Sequence, residues 1–331
     1  MPSQVVDSIA ATRPAATPSL SEATPLLNQL KAHVATVLLG KNDVIHLALV
    51  ALLADGHLLL EDVPGVGKTL LARALARSLA CSFHRIQFTP DLLPSDLIGT
   101  SVFHQPSGEF VFNPGPLFAQ IVLADEINRA TPRTQSALLE AMNDRQVTVD
   151  GATYRLGPPF LVLATQNPFE FEGTYPLPES QLDRFLVRTR IGYPGRVAEK
   201  DVLRQHRDGE PIDALPAILS AQQMLAVQTS VRHVRFDDRL QDYLLDIVQA
   251  TRETSQVQLG ASTRAGLGLY RAAQANALLE GRDYVVPDDI KHLAVPVLAH
   301  RLMLKSMRRP GGADPAEVFL QDVLAKVNVP T

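Results

Sequence analysis

Residues 57–69 read His57-Leu58-Leu59-Leu60-Glu61-Asp62-Val63-Pro64-Gly65-Val66-Gly67-Lys68-Thr69 and decide the fold. The three leucines predict a short buried strand, and the Ala- and Leu-rich residues 70–80 predict a helix. A glycine-containing turn lies between them and ends in Gly-Lys-Thr. A strand, a glycine loop and a helix in this order are typical of a loop that binds the phosphates of a nucleotide.

The residue types of this loop suit phosphate chemistry. Gly65 and Gly67 let the backbone N–H groups turn inward, and the helix that starts near Lys68 adds its positive dipole end. We expect Lys68 to reach the β- and γ-phosphates and the Thr69 hydroxyl to hold Mg²⁺. The strict pattern has glycine six residues before the lysine, where this chain has Asp62. The motif is therefore intact, but the conformation at the loop entry stays open, as does the alternative of a turn that binds nothing.

Composition restricts the class of protein. The chain has 331 residues, 46% of them apolar, a net charge of −4 and no block of like charges, which argues against nucleic-acid binding. Its single cysteine, Cys81, excludes an intrachain disulfide and suits a reducing compartment. We see no apolar run of membrane-spanning length and no secretory signal, so we expect a cytoplasmic protein without a transmembrane segment.

The pattern along the chain predicts a flexible arm and two domains. Residues 1–25 are rich in Ala, Ser, Thr and Pro and indicate the arm. Residues 26–194 form the first domain, in which strands alternate with helices, as in a parallel sheet covered on both faces; the predicted strands are 58–60, 83–88, 121–124, 160–164 and 185–191. Helical patterns dominate 195–331, the second domain. The first helix is predicted at 26–38.

A second site motif follows the third of these strands. Residues 121–126 form an apolar run that ends in Asp125 and Glu126. Because ligands bind beyond the carboxyl ends of parallel strands, Asp125 should lie near the glycine loop and bind Mg²⁺, directly or through water. Glu126 should orient or deprotonate the attacking water. The alternative, an acidic helix cap, is less favoured beside the Gly-Lys-Thr loop.

Together with three further segments, these motifs resemble the MoxR family of AAA+ ATPases over residues 26–331. Residues 61–69 resemble its phosphate loop (Walker A) and 125–130, Asp-Glu-Ile-Asn-Arg-Ala, its hydrolysis motif (Walker B). The segment Pro178-Glu179-Ser180-Gln181-Leu182-Asp183-Arg184-Phe185 resembles its arginine-finger segment. The resemblance implies a P-loop AAA+ α/β domain with a five-stranded parallel core sheet, followed by an all-α lid.

The resemblance also assigns roles to individual residues. Asn167, after Ala164-Thr165-Gln166, corresponds to sensor 1 and would contact the γ-phosphate or the lytic water, although an Asn before Pro could be only a turn residue. Arg184 corresponds to the finger that acts on ATP held by a neighbouring subunit; Arg188 and Arg190 are competing candidates, and a surface salt bridge is the alternative.

Two more nucleotide contacts come from the resemblance. Arg264, in Ala261-Ser262-Thr263-Arg264-Ala265, corresponds to sensor 2, and whether it serves its own subunit or the next one stays open. Leu39 and Gly40 resemble the loop beside the adenine. The full set of residues expected to contact the nucleotide is Leu39, Gly40, Pro64, Gly65, Val66, Gly67, Lys68, Thr69, Leu70 and Asp125.

Two predicted hairpins complete the family pattern. Residues 103–112 indicate one, and 145–156, with an Asp150-Gly151 turn, indicate the other. In relatives such hairpins line the pore of a ring or face a partner, and a purely structural role is the alternative.

The activity implied is hydrolysis of ATP with Mg²⁺ in a homo-oligomeric ring, most often a hexamer, that remodels a separate protein partner. The family's usual partners include von Willebrand factor A-domain proteins. A chelatase-type motor subunit and an ATP-gated scaffold with little turnover are the alternatives. Intact Glu126, Asn167 and Arg184 argue against the scaffold.

Overall fold

The computed structural model describes residues 5–6, 18–168, 173–207, 209–305 and 314–330. Its strands are β1 (Val5–Val6), β2 (Leu58–Glu61), β3 (Phe83–Gln87), β4 (Gly99–His104), β5 (Glu109–Pro114), β6 (Ile121–Asp125), β7 (Gln146–Val149), β8 (Ala152–Arg155), β9 (Leu161–Gln166), β10 (Val187–Thr189), β11 (Val257–Leu259) and β12 (Met303–Leu304). The central sheet has the order β10-β2-β9-β6-β3, and every neighbouring pair is parallel. The predicted five-stranded parallel sheet is confirmed.

The helices surround this sheet and continue into a second, helical domain. They are α1 (Leu20–Ala35), α2 (Asn42–Leu53), α3 (Lys68–Ser78), α4 (Pro94–Ile98), α5 (Pro132–Asp144), α6 (Glu179–Leu182), α7 (Arg196–Gln205), α8 (Ala221–Val231), α9 (Asp238–Ala250), α10 (Thr263–Leu279), α11 (Pro287–Leu298) and α12 (Pro315–Lys326). No helix within the described ranges combines the length and apolarity needed to cross a bilayer.

Alternation along the buried strands builds an apolar layer on each side of the sheet. Leu58 and Leu60 belong to one apolar cluster, whereas Leu59 between them belongs to the other. The first cluster includes residues of α1, α2, α3 and the helical domain, and the second includes residues of α4 and α5. Because both faces are covered, the inner strands β2, β6 and β9 read as largely continuous apolar runs rather than as alternating ones.

The first helix begins earlier than predicted. It starts at Leu20, not at residue 26, so the last residues of the predicted arm at 1–25 are helical. Ser19 and Glu22 form a capping box, in which the Ser19 N–H donates to the Glu22 carboxylate at 2.8 Å. Ala23 and Leu27 are fully buried, and this burial holds the first turns in place despite Pro25. Residues 1–4 and 7–17 of the arm lie outside the described residues.

Both predicted hairpins are present. In the first, β4 pairs antiparallel with β5, so the hairpin is longer than the predicted 103–112. In the second, β7 pairs with β8 through a turn in which Asp150 (φ 50°) and Gly151 (φ 81°) are left-handed, as a two-residue hairpin turn requires. The rings of Phe112 and Tyr154 stack 4.0 Å apart and join the two hairpins.

The helical domain packs around α10, whose residues are largely buried. It also contains a short antiparallel pair, β11 with β12, that was not predicted from sequence. The two domains share one continuous apolar cluster. Just before β2 and β10, a Cβ on Gly56 would lie 2.5 Å from Cβ of Leu186, so a larger residue would push these two segments apart.

His57 and Cys81 are titratable groups buried beside the sheet. The His57 Nε2–H donates to the Met142 carbonyl at 3.0 Å, and Nδ1 accepts from the Val162 N–H at 3.1 Å. Burial lowers the pKa of His57 to about 4. Cys81 follows α3 and is half-buried, and burial raises the pKa of its thiol to about 12.

Candidate active site

The glycine loop connects the carboxyl end of β2 to the amino end of α3. Gly65 (φ 83°) and Gly67 (φ 105°) are both left-handed, a conformation that other residues adopt only with strain. Gly67 is the N-cap of α3, so the loop N–H groups and the helix dipole face the same space.

A cavity of about 360 Å³ opens at this point. Nine of the predicted site residues line it: Pro64, Gly65, Gly67, Lys68, Thr69, Leu70, Asp125, Glu126 and Asn167. Val66 is buried beneath the loop. Within the part of the chain that the structure describes, Leu39, Gly40, Arg184 and Arg264 do not line the cavity.

Lys68 points back into its own loop. The residue is only 8% exposed, and its Nζ donates to the Asp62 carbonyl at 2.8 Å. Burial lowers the pKa of Lys68, while Asp125, Asp62 and Glu126 act in the opposite direction. The loop therefore presents a partly desolvated cation beside its N–H groups, which is a suitable environment for phosphate oxygens.

Asp62 explains the departure from the strict motif. Its Oδ2 accepts hydrogen bonds from the backbone N–H groups of Ile191 and Gly192, the latter at 2.9 Å. These two residues follow β10 and begin the connection to the helical domain. The carboxylate thus ties the loop entry to the connection between the domains, and glycine could not do this.

Thr165 couples the two carboxylates that follow β6. Its buried hydroxyl donates to Asp125 Oδ1 at 2.6 Å and accepts from the Glu126 N–H at 2.9 Å. The other oxygen of Asp125 accepts from Arg85, at 2.6 Å from Nη2 and 3.1 Å from Nε. These contacts fix the plane of the Asp125 carboxylate toward the cavity.

Glu126 has a left-handed backbone (φ 57°), which is uncommon for a residue with a side chain and typical of functional sites. Its Oε2 accepts from Gln87 Nε2 at 2.8 Å and pairs with Arg129 Nε at 2.9 Å. Gln87 Oε1 in turn accepts from Arg85 Nη2 at 3.0 Å. Glu126 is therefore held by a polar network rather than left to rotate in solvent.

Four residues of this network were not predicted from sequence: Arg85, Gln87, Arg129 and Thr165. A signal existed for the first two, because they alternate on one face of β3, in register with Leu123 and Asp125 of β6. Arg129 lies one helical turn after Glu126 in the same motif.

The donors in the cavity fit a magnesium nucleotide. The Thr69 hydroxyl and the Asp125 carboxylate are oxygen ligands of the kind that Mg²⁺ prefers. They line the same cavity as Lys68 and the inward-facing loop, which would bind phosphate oxygens.

The three candidate finger arginines differ in their surroundings. Arg188 has a side chain that is only 9% exposed, and it pairs with Glu61 at 3.5 Å and Asp314 at 2.7 Å. Burial alone would lower the pKa of Arg188, but Glu61, Asp314 and Glu317 together raise it. Arg190 pairs with Glu317 at 3.3 Å. Both arginines are thus engaged in a cluster that joins the sheet to α12.

Arg184 is in a different position. It is half-buried directly after α6, and its Nη1 donates to the Leu139 carbonyl of α5. Within the described ranges it forms no ion pair with a carboxylate, so the salt-bridge alternative finds no partner there.

Arg264 lies close to the Arg184 segment. It is exposed in the first turn of α10, and Ser262 two residues before it donates to Asp183 at 3.3 Å. Burial lowers the pKa of Arg301 to about 10, Asp183 opposes this shift, and the charge of Arg264 adds to it. The chain beside Arg184 and the start of α10 are therefore in contact, and neither arginine lines the cavity that contains Lys68.

Gly40 lies beside α7, and Leu38, two residues earlier, lies beside the glycine loop. Gly40 is left-handed (φ 70°), and a Cβ there would lie 3.0 Å from that of Ala198. Leu38, which was not predicted, approaches the loop closely enough that a Cβ on Gly67 would be 2.9 Å from it. This segment therefore borders the glycine loop.

Comparison with known proteins agrees with this geometry. A sequence profile described as the ATPase family associated with various cellular activities (AAA) matches residues 57–187, and an AAA lid domain profile matches 249–321. The Chaperone MoxR1 of Mycobacterium tuberculosis is 43% identical over 90% of this chain and 80% of its own length. The chain belongs to the MoxR family of AAA+ ATPases.

Two other proteins are similar to this chain over nearly its whole length. The uncharacterized protein YeaC of Bacillus subtilis is 52% identical over 92% of this chain and 95% of its own length. The structure of a Cytophaga hutchinsonii protein described as a candidate ATPase superimposes with a TM-score of 0.87 at 40% identity, over 94% of this chain and 97% of that one. The MoxR architecture of an α/β ATPase domain followed by a helical lid thus accounts for both domains of the fold.

Proposed function

We propose that this MoxR-family protein binds and hydrolyses Mg-ATP in a homo-oligomeric ring and uses the cycle to remodel a separate protein partner. One observation carries the proposal. Lys68, Thr69, Asp125, Glu126 and Asn167 line a single cavity, whereas Arg184 and Arg264 are not among its lining residues. A site divided in this way is complete only if a neighbouring copy supplies the arginines.

The residues act as follows in this proposal. The glycine loop and Lys68 bind the β- and γ-phosphates. Glu126, fixed by Gln87 and Arg129, orients the water for in-line attack and accepts its proton, and Asn167 orients the γ-phosphate or that water. Thr69 and Asp125 hold Mg²⁺, which neutralises negative charge on the phosphates.

The arginines complete the site from the next subunit. Arg184 stabilises the charge that develops on the phosphate, because a guanidinium stays charged and contacts two oxygens at once. Arg264 begins α10 and so links nucleotide contact to the position of the helical domain. We expect a hexamer, and a von Willebrand factor A-domain protein is the partner class to test first.

The test is the ATPase rate against protein concentration, with mass photometry on the same samples. Wild type should gain specific activity as rings form. Glu126→Gln and Arg184→Ala should form rings and bind ATP but lose turnover by about a hundredfold or more. Arg190→Ala is the matched control, since Arg190 is a rival arginine in the same segment.

Two results would count against the proposal. Normal hydrolysis by Arg184→Ala rings with loss in Arg190→Ala would transfer the finger role to Arg190. Rings that bind ATP yet do not hydrolyse it, with or without a candidate partner, would favour an ATP-gated scaffold.

A further inference from the structure

We propose that Arg301 is the positioning residue of the arginine finger, through which the helical domain sets the direction of Arg184 toward the neighbouring subunit. The inference rests on the proposed function, in which Arg184 completes the site of the next copy. Arg301 ends the 3-10 turn that follows α11 and is only 5% exposed.

Arg301 contacts both residues that flank Arg184. Its Nη2 donates to the Phe185 carbonyl at 2.7 Å, and its Nη1 lies 3.3 Å from the Asp183 carboxylate. His300 reinforces the first contact by donating from Nε2 to the same carbonyl at 2.9 Å. The helical domain thus contacts the chain on each side of the finger, at the Asp183 carboxylate before it and at the Phe185 carbonyl after it.

A second contact from the helical domain supports the same segment. Ser262, the N-cap of α10, donates to Asp183 at 3.3 Å, two residues before Arg264. Ser262 therefore caps the helix that carries Arg264 and also binds Asp183, the residue before Arg184. Movement of α10 would therefore act on the Arg184 segment as well as on Arg264.

The helical domain leaves space for this guanidinium. A Cβ on Gly268 would lie 3.2 Å from Arg301 Nη1 and 3.1 Å from Leu186 Cδ1, so glycine lets α10 pass close to the buried charge. An apolar side chain would fill such a site with a smaller desolvation cost. What the arginine adds is two directional contacts on opposite sides of Arg184.

Arg184 is held from the other side by the α/β domain. Its side chain donates to the Leu139 carbonyl of α5, while Arg301 contacts the Asp183 carboxylate and the Phe185 carbonyl on either side of it. A shift of the helical domain relative to α5 must stretch one of these attachments. The finger is therefore placed where domain movement, driven by the nucleotide of its own subunit, changes its reach into the next site.

The experiment combines single variants with mixed rings. Arg301→Met removes both contacts and keeps the length of the side chain. Arg282→Met is the matched control, because Arg282 is a helical-domain arginine paired with the buried Asp289 at 2.6 Å, outside the Arg184 segment. Readouts are ring mass, binding of a fluorescent ATP analogue and steady-state kcat and KM.

We expect Arg301→Met rings to bind the analogue as wild type does but to lose about a hundredfold in kcat, as a displaced catalytic group would. Mixing them with Glu126→Gln subunits should restore turnover above that of either variant alone. In such rings the intact Glu126 of one subunit meets a correctly held Arg184 from the other. Arg282→Met should keep its kcat.

The mixing control separates the possible failures. If Arg184→Ala mixed with Glu126→Gln regains activity but Arg301→Met does not, Arg301 acts in its own subunit and this inference is wrong. If the Arg184→Ala mixture also stays inactive, the shared site itself fails and both proposals fall. Should Arg301→Met not fold, Arg301→Lys, which keeps the charge but reaches only one flank, must show the same rescue on mixing.

Discussion

Asp62→Gly would introduce the glycine of the strict phosphate-loop motif, and we expect this substitution to lower the stability of the folded protein. The substitution removes the acceptor of two backbone N–H groups, one buried at Ile191 and one half-buried at Gly192. Hydrogen bonds to a charged group contribute about 1.5–3 kcal/mol each. Water can reach Gly192 and offset part of that loss, and the added freedom of glycine costs about 0.5–1 kcal/mol more. We therefore expect Asp62→Gly to lower the free energy of unfolding by about 4 kcal/mol.

Two further substitutions of Asp62 separate these contributions to the free energy of unfolding, and a variant at an exposed helical position serves as the control. Asp62→Ala removes the hydrogen bonds without the glycine entropy, and Asp62→Asn keeps one acceptor oxygen without the charge and should lose about 2 kcal/mol. Asp242→Ala, at an exposed position of α9, should stay within about 0.5 kcal/mol of wild type. The backbone carbonyl that accepts from Lys68 is retained throughout, so the lysine keeps its contact.

The assay is urea unfolding followed by circular dichroism without nucleotide, together with hydrogen exchange of the peptide that contains Ile191 and Gly192. We expect faster exchange of this peptide in the order Asn, Ala, Gly. An Asp62→Gly protein that unfolds within about 0.5 kcal/mol of wild type, with unchanged exchange at these amides, would refute the explanation of the unusual loop entry.

Three other changes probe the buried polar groups. His57 has a pKa of about 4 in the folded chain against an ordinary 6.5, so the unfolded chain takes up the proton first as the pH falls, and the free energy of unfolding decreases between pH 6.5 and pH 4. His57→Gln should therefore reduce the difference in unfolding free energy between pH 7 and pH 5 by about 2 kcal/mol. An unchanged difference would contradict this. Arg188→Met should cost about 3–5 kcal/mol in urea unfolding because it removes the buried cation that pairs with the buried carboxylates of Glu61 and Asp314, and a loss below about 1 kcal/mol would show that water or other partners replace it. Thr165→Val should lower kcat about tenfold or more with little change in binding of an ATP analogue, because the side chain keeps its shape but no longer fixes Asp125 and Glu126; wild-type kcat would exclude this role.

Local features of this chain were predictable and long-range partners were not. The strand, the glycine loop and α3 are continuous in sequence, and Asp125 reaches the loop because parallel strands present their carboxyl ends at one edge. The hydrogen-bond partners of Asp62 lie about 130 residues away in sequence, and no local sequence pattern around Asp62 predicts them. The same holds for Arg188, which finds Asp314 only once α12 packs against the sheet.

Two features that were not predicted do have local signals in the sequence, but stronger patterns nearby favoured another interpretation. The capping box of Ser19 and Glu22 marks the true start of α1, but Pro25 and the Ala-, Ser- and Thr-rich composition favour an arm. Arg85 and Gln87 alternate on β3, an edge strand whose exposed polar residues resemble an ordinary solvated face. Their importance appears only when β6 places Asp125 and Glu126 beside them.

The single cysteine of this chain makes movement of the helical domain directly measurable. At neutral pH a half-buried thiol with a pKa near 12 is almost entirely protonated, and the protonated form reacts poorly with maleimides. Cysteines introduced in pairs, one on exposed α7 and one on the α/β domain, should therefore take up fluorophores selectively in an otherwise natural sequence. Single-molecule energy transfer between such dyes could follow opening and closing during turnover without first replacing Cys81.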